Sequence, residues 1–188
     1  MAVSLVVVGG SWGGAQAARM LLSRLPGTFA APVVIVLHRA PDTDDGMLSR
    51  TLAQGCALAV ADAEDKQPLQ AGCVLIAPAG YHLLMEIGNI ALSTEEAVHF
   101  SRPSIDVAFE SASRSYGDGV AAVVLSGANA DGAAGCARIA ATGGTVLIQD
   151  PASAARREMP CAALAACPQP ELTGDPAALG DRLLELAA

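Results

Sequence analysis

The sequence predicts an α/β domain: a doubly wound, mostly parallel sheet with helices on both faces and an antiparallel hairpin at one edge. Three observations carry this. Short runs of Val, Leu, Ile and Ala are apolar at every residue rather than every second one, as strands buried on both faces must be. Amphipathic or alanine-rich stretches of helical length alternate with them. Glycine and proline mark the joins. No internal repeat, low-complexity segment or linker divides the 188 residues, so a single domain over 1–188 is expected.

Residues 4–9, SLVVVG, read as the first strand. Residues 14–25 read as a helix that Pro26-Gly27 stops. PVVIVLH, 32–38, is a second buried strand, and the acidic PDTDDG is a loop able to cap a helix over 47–54. Residues 56–61 and 72–80 give two more strands. YHLLMEI and NIALST flank Gly88-Asn89, a hairpin signal. Across 102–117, Ile105, Ala108, Phe109 and Ala112 share one helical face. GVAAVVLSG is again a buried strand. DGAAGCARIAATGG is a helix with Asp131 at its start and Gly143-Gly144 at its end. TVLIQD is a strand, MPCAALAA starts a short helix, and DPAALGDRLLELAA closes the chain as an amphipathic helix.

Composition removes several function classes. Formal net charge is −8, with no Lys/Arg run able to track a phosphate backbone, so no nucleic-acid partner is expected. No apolar run reaches the ~18 residues of a membrane span, and the N-terminus lacks a signal peptide's basic region. Five cysteines, an odd number without a CxxC pair, read as small buried thiols in a reducing cytoplasm.

The first strand runs into GGSWGG, which two chemistries could use. A dinucleotide fingerprint needs glycine where Ser11 stands, and an acid where the second strand ends in His38. The nucleophile elbow G-x-S-x-G is matched in full by Gly9 to Gly13. A nucleophilic Ser11 needs a base, and His38 lies at the C-terminal end of a neighbouring strand, the edge where open α/β sheets bind ligands. His82 and His99 suit surface or structural roles. The orienting acid is Asp131, just past the strand that starts at Gly119. Asp131 also reads as an N-cap of the helix it precedes. Asp106 is expected to face solvent, and Asp150 is the reserve acid.

With Ser11, His38 and Asp131 in that order, the chain resembles the catalytic domain of CheB-type chemotaxis protein-glutamate methylesterases over nearly its whole length. The family's GAS-x-GG appears as GGSWGG, QHMPP as LHRAP, IAPG as IAPAG, RPSVD as RPSID, GMGNDGA as GANADGA, and GMP as EMP at Glu158 to Pro160. The resemblance implies that Ser11, His38 and Asp131 are catalytic. The chain order also differs from the Ser–Asp–His order of α/β-hydrolases. Three departures bear on substrate choice. Trp12 replaces a threonine, Ala128-Asn129-Ala130 replaces Met-Gly-Asn, and Arg156, Arg157 and Glu158 add charge. Full-length family members carry an N-terminal receiver domain, and none is expected within these 188 residues.

The resemblance implies hydrolysis of glutamate γ-methyl esters on cytoplasmic helices of chemotaxis receptors, with glutamine deamidation by the same route. The oxyanion candidates are the backbone N–H of Trp12, opening the helix after the elbow, and one near Ala128, the latter by resemblance. No metal or organic cofactor is implied. The alternatives are a triad esterase for another small-molecule or protein ester, and a catalytically weak receptor-binding module.

Overall fold

The computed structural model of the protein describes residues 3–40 and 45–188. In chain order its elements are β1 (Leu5–Gly10), α1 (Gly14–Leu22), β2 (Val33–Leu37), α2 (Asp45–Ala53), β3 (Ala59–Asp62), β4 (Cys73–Ile76), β5 (His82–Glu86), β6 (Asn89–Ser93), α3 (Ile105–Tyr116), β7 (Val120–Val124), α4 (Ala133–Ala141), β8 (Thr145–Gln149), α5 (Glu158–Ala166), β9 (Leu172–Gly174) and α6 (Pro176–Leu186). Seven strands form one parallel sheet in the order β3-β4-β2-β1-β7-β8-β9. The four residues 41–44 of the acidic PDTDDG loop lie outside the described residues.

The central strands are apolar throughout because both of their faces are covered. Leu5 and Val7 point to a core shared with Ile105 and Phe109 of α3 and Ile139 of α4. Val6 and Val8 point to a second core with Leu21 and Leu22 of α1 and Leu179 and Leu183 of α6. β1 lies between β2 and β7, so the chain moves outward in opposite directions from it. That reversal opens a crevice at the C-terminal ends of β1, β2 and β7.

Several elements differ from the sequence reading. The antiparallel hairpin expected at one edge is its own two-stranded sheet, β5–β6, packed on α3: Met85 N donates to Ser111 Oγ, and Ser115 Oγ donates to Met85 O. The edge position goes instead to β9, a three-residue strand that periodicity cannot reveal. β3 falls at Ala59–Asp62 rather than 56–61, with alternating exposure, because it is the opposite edge. α1 ends at Leu22, three residues before the expected stop, and residues 102–104 precede α3 rather than belonging to it.

Gly9 is required by packing. A Cβ there would lie 2.4 Å from Ile105 Cγ2, so α3 sits directly on the end of β1. Gly9→Ala is expected to lower stability by about 1–3 kcal/mol through overpacking, read as a reduced urea midpoint at unchanged m-value.

Candidate active site

The end of β1 turns sharply. Ser11 N donates to Ser126 O at 2.9 Å, and Gly14 N donates to Ser11 O at 2.8 Å. Gly13 then takes a left-handed backbone, φ +79°, as the N-cap of α1. Glycine suits that conformation, and a side chain there would also strike Ala155 Cβ at 2.6 Å. Trp12 therefore occupies the turn rather than opening the helix, which starts at Gly14. These glycines face close neighbouring side chains and a tight turn.

His38 extends β2 by one hydrogen bond, its N–H donating to Gly10 O at 3.1 Å, which holds it beside the elbow. Its ring Nε2 lies 2.7 Å from Asp131 Oδ2, and the two side chains are 11% and 0% exposed. With Asp131 as acceptor, Nε2 carries the proton and Nδ1 is the basic nitrogen. Asn129 Nδ2 lies 3.5 Å from Nδ1, at the outer limit of a hydrogen bond. Ser11 and His38 line one cavity of about 250 Å³ with Leu37, Arg39, Met47 and Leu48. Among the described residues the Ser11 hydroxyl makes no hydrogen bond, so Ser11 and His38 share a cavity without being joined.

Asp131 is more than a partner of His38. Its Oδ1 accepts from Ser104 Oγ (2.9 Å) and Asp106 N (3.0 Å), and its Oδ2 accepts from Ile105 N (2.7 Å) as well as His38. It does not cap α4, whose N-cap is Gly132. It caps α3 from outside, taking the first two N–H groups of that helix. Ser104 takes the next two, through its hydroxyl for Val107 and its carbonyl for Ala108. All four leading N–H groups of α3 are thus satisfied. Burial alone would push the Asp131 carboxyl up, but the His38 ring and the Asp106 and Ile105 N–H groups outweigh it and hold the carboxyl below its usual range.

Asp106 does not face solvent. It lies in the first turn of α3, where Oδ1 accepts from Gly135 N of α4 at 2.7 Å and Oδ2 lies 3.3 Å from His99 Nε2. Burial, with neighbouring Asp131 adding to it, raises its carboxyl above the usual range despite the Gly135 N–H. His82 is buried and structural: Nδ1 accepts from Ser104 N, and Nε2–H donates to Glu96 O. Asp150 belongs to a turn, accepting from Ala152 N, and touches neither His38 nor Ser11. His99, Asp106 and Asp131 bring ligand atoms within 4.8 Å of one another. Both Asp131 oxygens are already filled by the four donors above, so a metal there would have to displace the His38 contact or the α3 cap.

The N–H groups of Trp12 and Ala128 donate to nothing among the described residues, as oxyanion donors must. Sequence reasoning missed Ser104, placed Asp106 in solvent, and did not bring Asn129 to the His38 ring. RPSID and GANADG carried all three, but nothing local says that the two segments meet.

Asp131→Asn cannot reproduce this site. An amide NH₂ at the Oδ1 position faces Asp106 N–H, and at the Oδ2 position it faces Ile105 N–H, so one helix N–H always loses its acceptor. A loss of about 2 kcal/mol at neutral pH is expected. The sign follows from the depressed carboxyl. Its contribution is fully present above the ordinary value near 3.8 and is lost as pH falls through the lower folded value. Urea unfolding of wild type and variant should therefore stay apart at pH 4 and converge only as pH falls below the lowered carboxyl value, under 3.8.

The sequence model of the family described as CheB methylesterase matches residues 6–183. A protein of Leptospira interrogans is 43% identical over 162 residues, which are 86% of this chain and 83% of that protein. Proteins named protein-glutamate methylesterase/protein-glutamine glutaminase 2 of Anaeromyxobacter dehalogenans and 5 of Myxococcus xanthus are each 42% identical over 81% and 85% of this chain. The matched segments are 45% and 47% of those two relatives, so the chain spans just under half their length. The crystal structure of the Thermotoga maritima CheB methylesterase catalytic domain superposes with a TM-score of 0.92 at 28% identity, covering 99% of this chain and all of that one.

Proposed function

The chain belongs to the CheB methylesterase family, and from that membership we propose that it is a serine hydrolase of glutamate γ-methyl esters on chemotaxis receptor helices, acting through Ser11, His38 and Asp131. The observation that carries the proposal is the buried 2.7 Å His38–Asp131 pair opening into the same cavity as the elbow serine. Asp131 holds the ring with its proton on Nε2, so Nδ1 is the nitrogen that takes the Ser11 proton. The Ser11 oxygen attacks the ester carbonyl, and the new oxyanion takes hydrogen bonds from the free N–H groups of Trp12 and Ala128. The imidazolium then returns its proton to the departing methoxide, which leaves as methanol. Water, deprotonated by the same nitrogen, cleaves the acyl-serine and leaves a glutamate carboxylate. With glutamine, ammonia leaves instead.

Apo elbows often hold nucleophile and base apart until substrate arrives, so the unjoined Ser11 and His38 fit this sequence of steps. The proposal carries a cytoplasmic location. The cysteines are all free thiols, and no described helix is long and apolar enough to cross a membrane.

Methanol release from a γ-methyl-glutamyl receptor fragment tests the reaction. Ser11→Ala and His38→Gln should each remove turnover by a factor on the order of 10⁶, the loss found when a comparable hydrolase loses its nucleophile or base. A fluorophosphonate should label Ser11 in peptide mapping, and a label on any other residue of active protein would refute the assignment.

A further inference from the structure

Resting on the methylesterase reading above, we propose that Trp12 and Arg156, with Arg157, form an anion-recognising platform beside Ser11 that selects protein substrates carrying an acidic residue next to the glutamyl ester. Trp12 directly follows the nucleophile and is 68% exposed, an unusual place for the chain's one tryptophan. Arg156 Cζ lies 5.9 Å from the centroid of its ring, within the reach of cation–π attraction. A guanidinium stacked by its face keeps its in-plane N–H fork for a carboxylate.

The two residues are also joined through the backbone. Ser126 Oγ donates to Trp12 O at 2.7 Å and accepts from Arg156 N at 2.9 Å, and Gly127 N donates to Arg156 O at 3.2 Å. Gly13 packs so closely on Ala155 that no side chain fits between them. The 155–157 segment is therefore held against the elbow, and its distance from Ser11 is set by the fold.

Charge identifies the occupant. The chain carries 19 acidic and 11 basic residues, and five of the cations are matched internally: Arg24 with Asp181, Arg39 with Asp62, Lys66 with Glu86, Arg114 with Glu110, Arg182 with Glu171. Arg156 and Arg157 are exposed and pair with no carboxylate among the described residues. They also stand at the N-terminus of α5, where the helix dipole disfavours a cation. An acidic side chain on the substrate supplies the missing partner. A protein of net charge −8 repels such a substrate over most of its surface, so this edge would steer it toward the serine.

The test uses the Ser11→Ala protein as a trap that binds without turnover. Two peptides carry one glutamate γ-methyl ester, flanked by Glu in one and by Gln in the other. Binding is read by the emission of Trp12 and by anisotropy of a label on the peptide. The Glu-flanked peptide should bind about tenfold more tightly at low salt, the size of one charge-assisted contact, and the preference should shrink as salt rises. Arg156→Gln with Arg157→Gln should abolish the preference, and Arg156→Lys should restore only part of it. The Ser126 bonds reach Arg156 through its backbone, so these substitutions keep the scaffold. Equal affinity for the two peptides, or a preference that survives the double substitution, overturns the proposal. Methanol release by wild-type protein is measured in parallel. A preference without methanol supports the platform and overturns the methylesterase reading, whereas methanol without a preference does the reverse.

Discussion

The Asp131 carboxylate is the contact on which the site depends. It lies in the loop after β7, and its four donors come from the strand-end histidine, from Ser104, and from the first two N–H groups of α3. One buried charge thus joins three segments that are distant in sequence. Asp106, in the first turn of α3, accepts in return from Gly135 N of α4, the helix that follows Asp131. Each helix is capped by an acid carried at the start of the other. The arrangement fixes the carboxylate that orients His38, and it makes the helix pair and the His38 contact hard to perturb separately.

Packing around the sheet's centre explains why those segments meet. β1 is the middle strand, and the chain passes to β2 on one side and to β7 on the other. Residues just past the C-terminal ends of all three strands converge at that reversal. Gly9 lets α3 rest on the end of β1, Gly10 would put a Cβ 2.9 Å from Leu37 Cδ2, and Gly13 turns left-handed to start α1. The glycines of GGSWGG therefore serve close approach and a tight turn, which leaves Ser11 at the cavity wall.

Strand-end positions were legible in the sequence because buried parallel strands are continuous apolar runs, and their ends are marked by the first polar residue. Ser11, His38 and Asp131 follow from that rule plus chain order. Asp106 did not, because an acid in the first turn of an amphipathic helix looks solvent-facing until its neighbour is known. Asp131 itself read as a cap of the wrong helix, since capping from outside leaves no local signature. β9 is too short for a period, and the hairpin's turn residues say nothing of what it packs against. Tertiary contacts decided each of these, and local sequence carries little information about them.

Trp12 and Arg156 lie far apart in sequence, yet Ser126 ties their backbones together with a single hydroxyl. Neither side chain takes part in the Asp131 network. The candidate site is thus held by a buried carboxylate with no spare acceptor, and the rim is built from exposed loop residues whose side chains can change without breaking a cap or a core contact. A site organised in this way can keep its reaction and exchange its substrate flank, because the two are stabilised by different atoms. Arg156 lies over the ring of Trp12, and Trp12 adjoins Ser11, so an exchange at this rim acts directly beside the elbow serine.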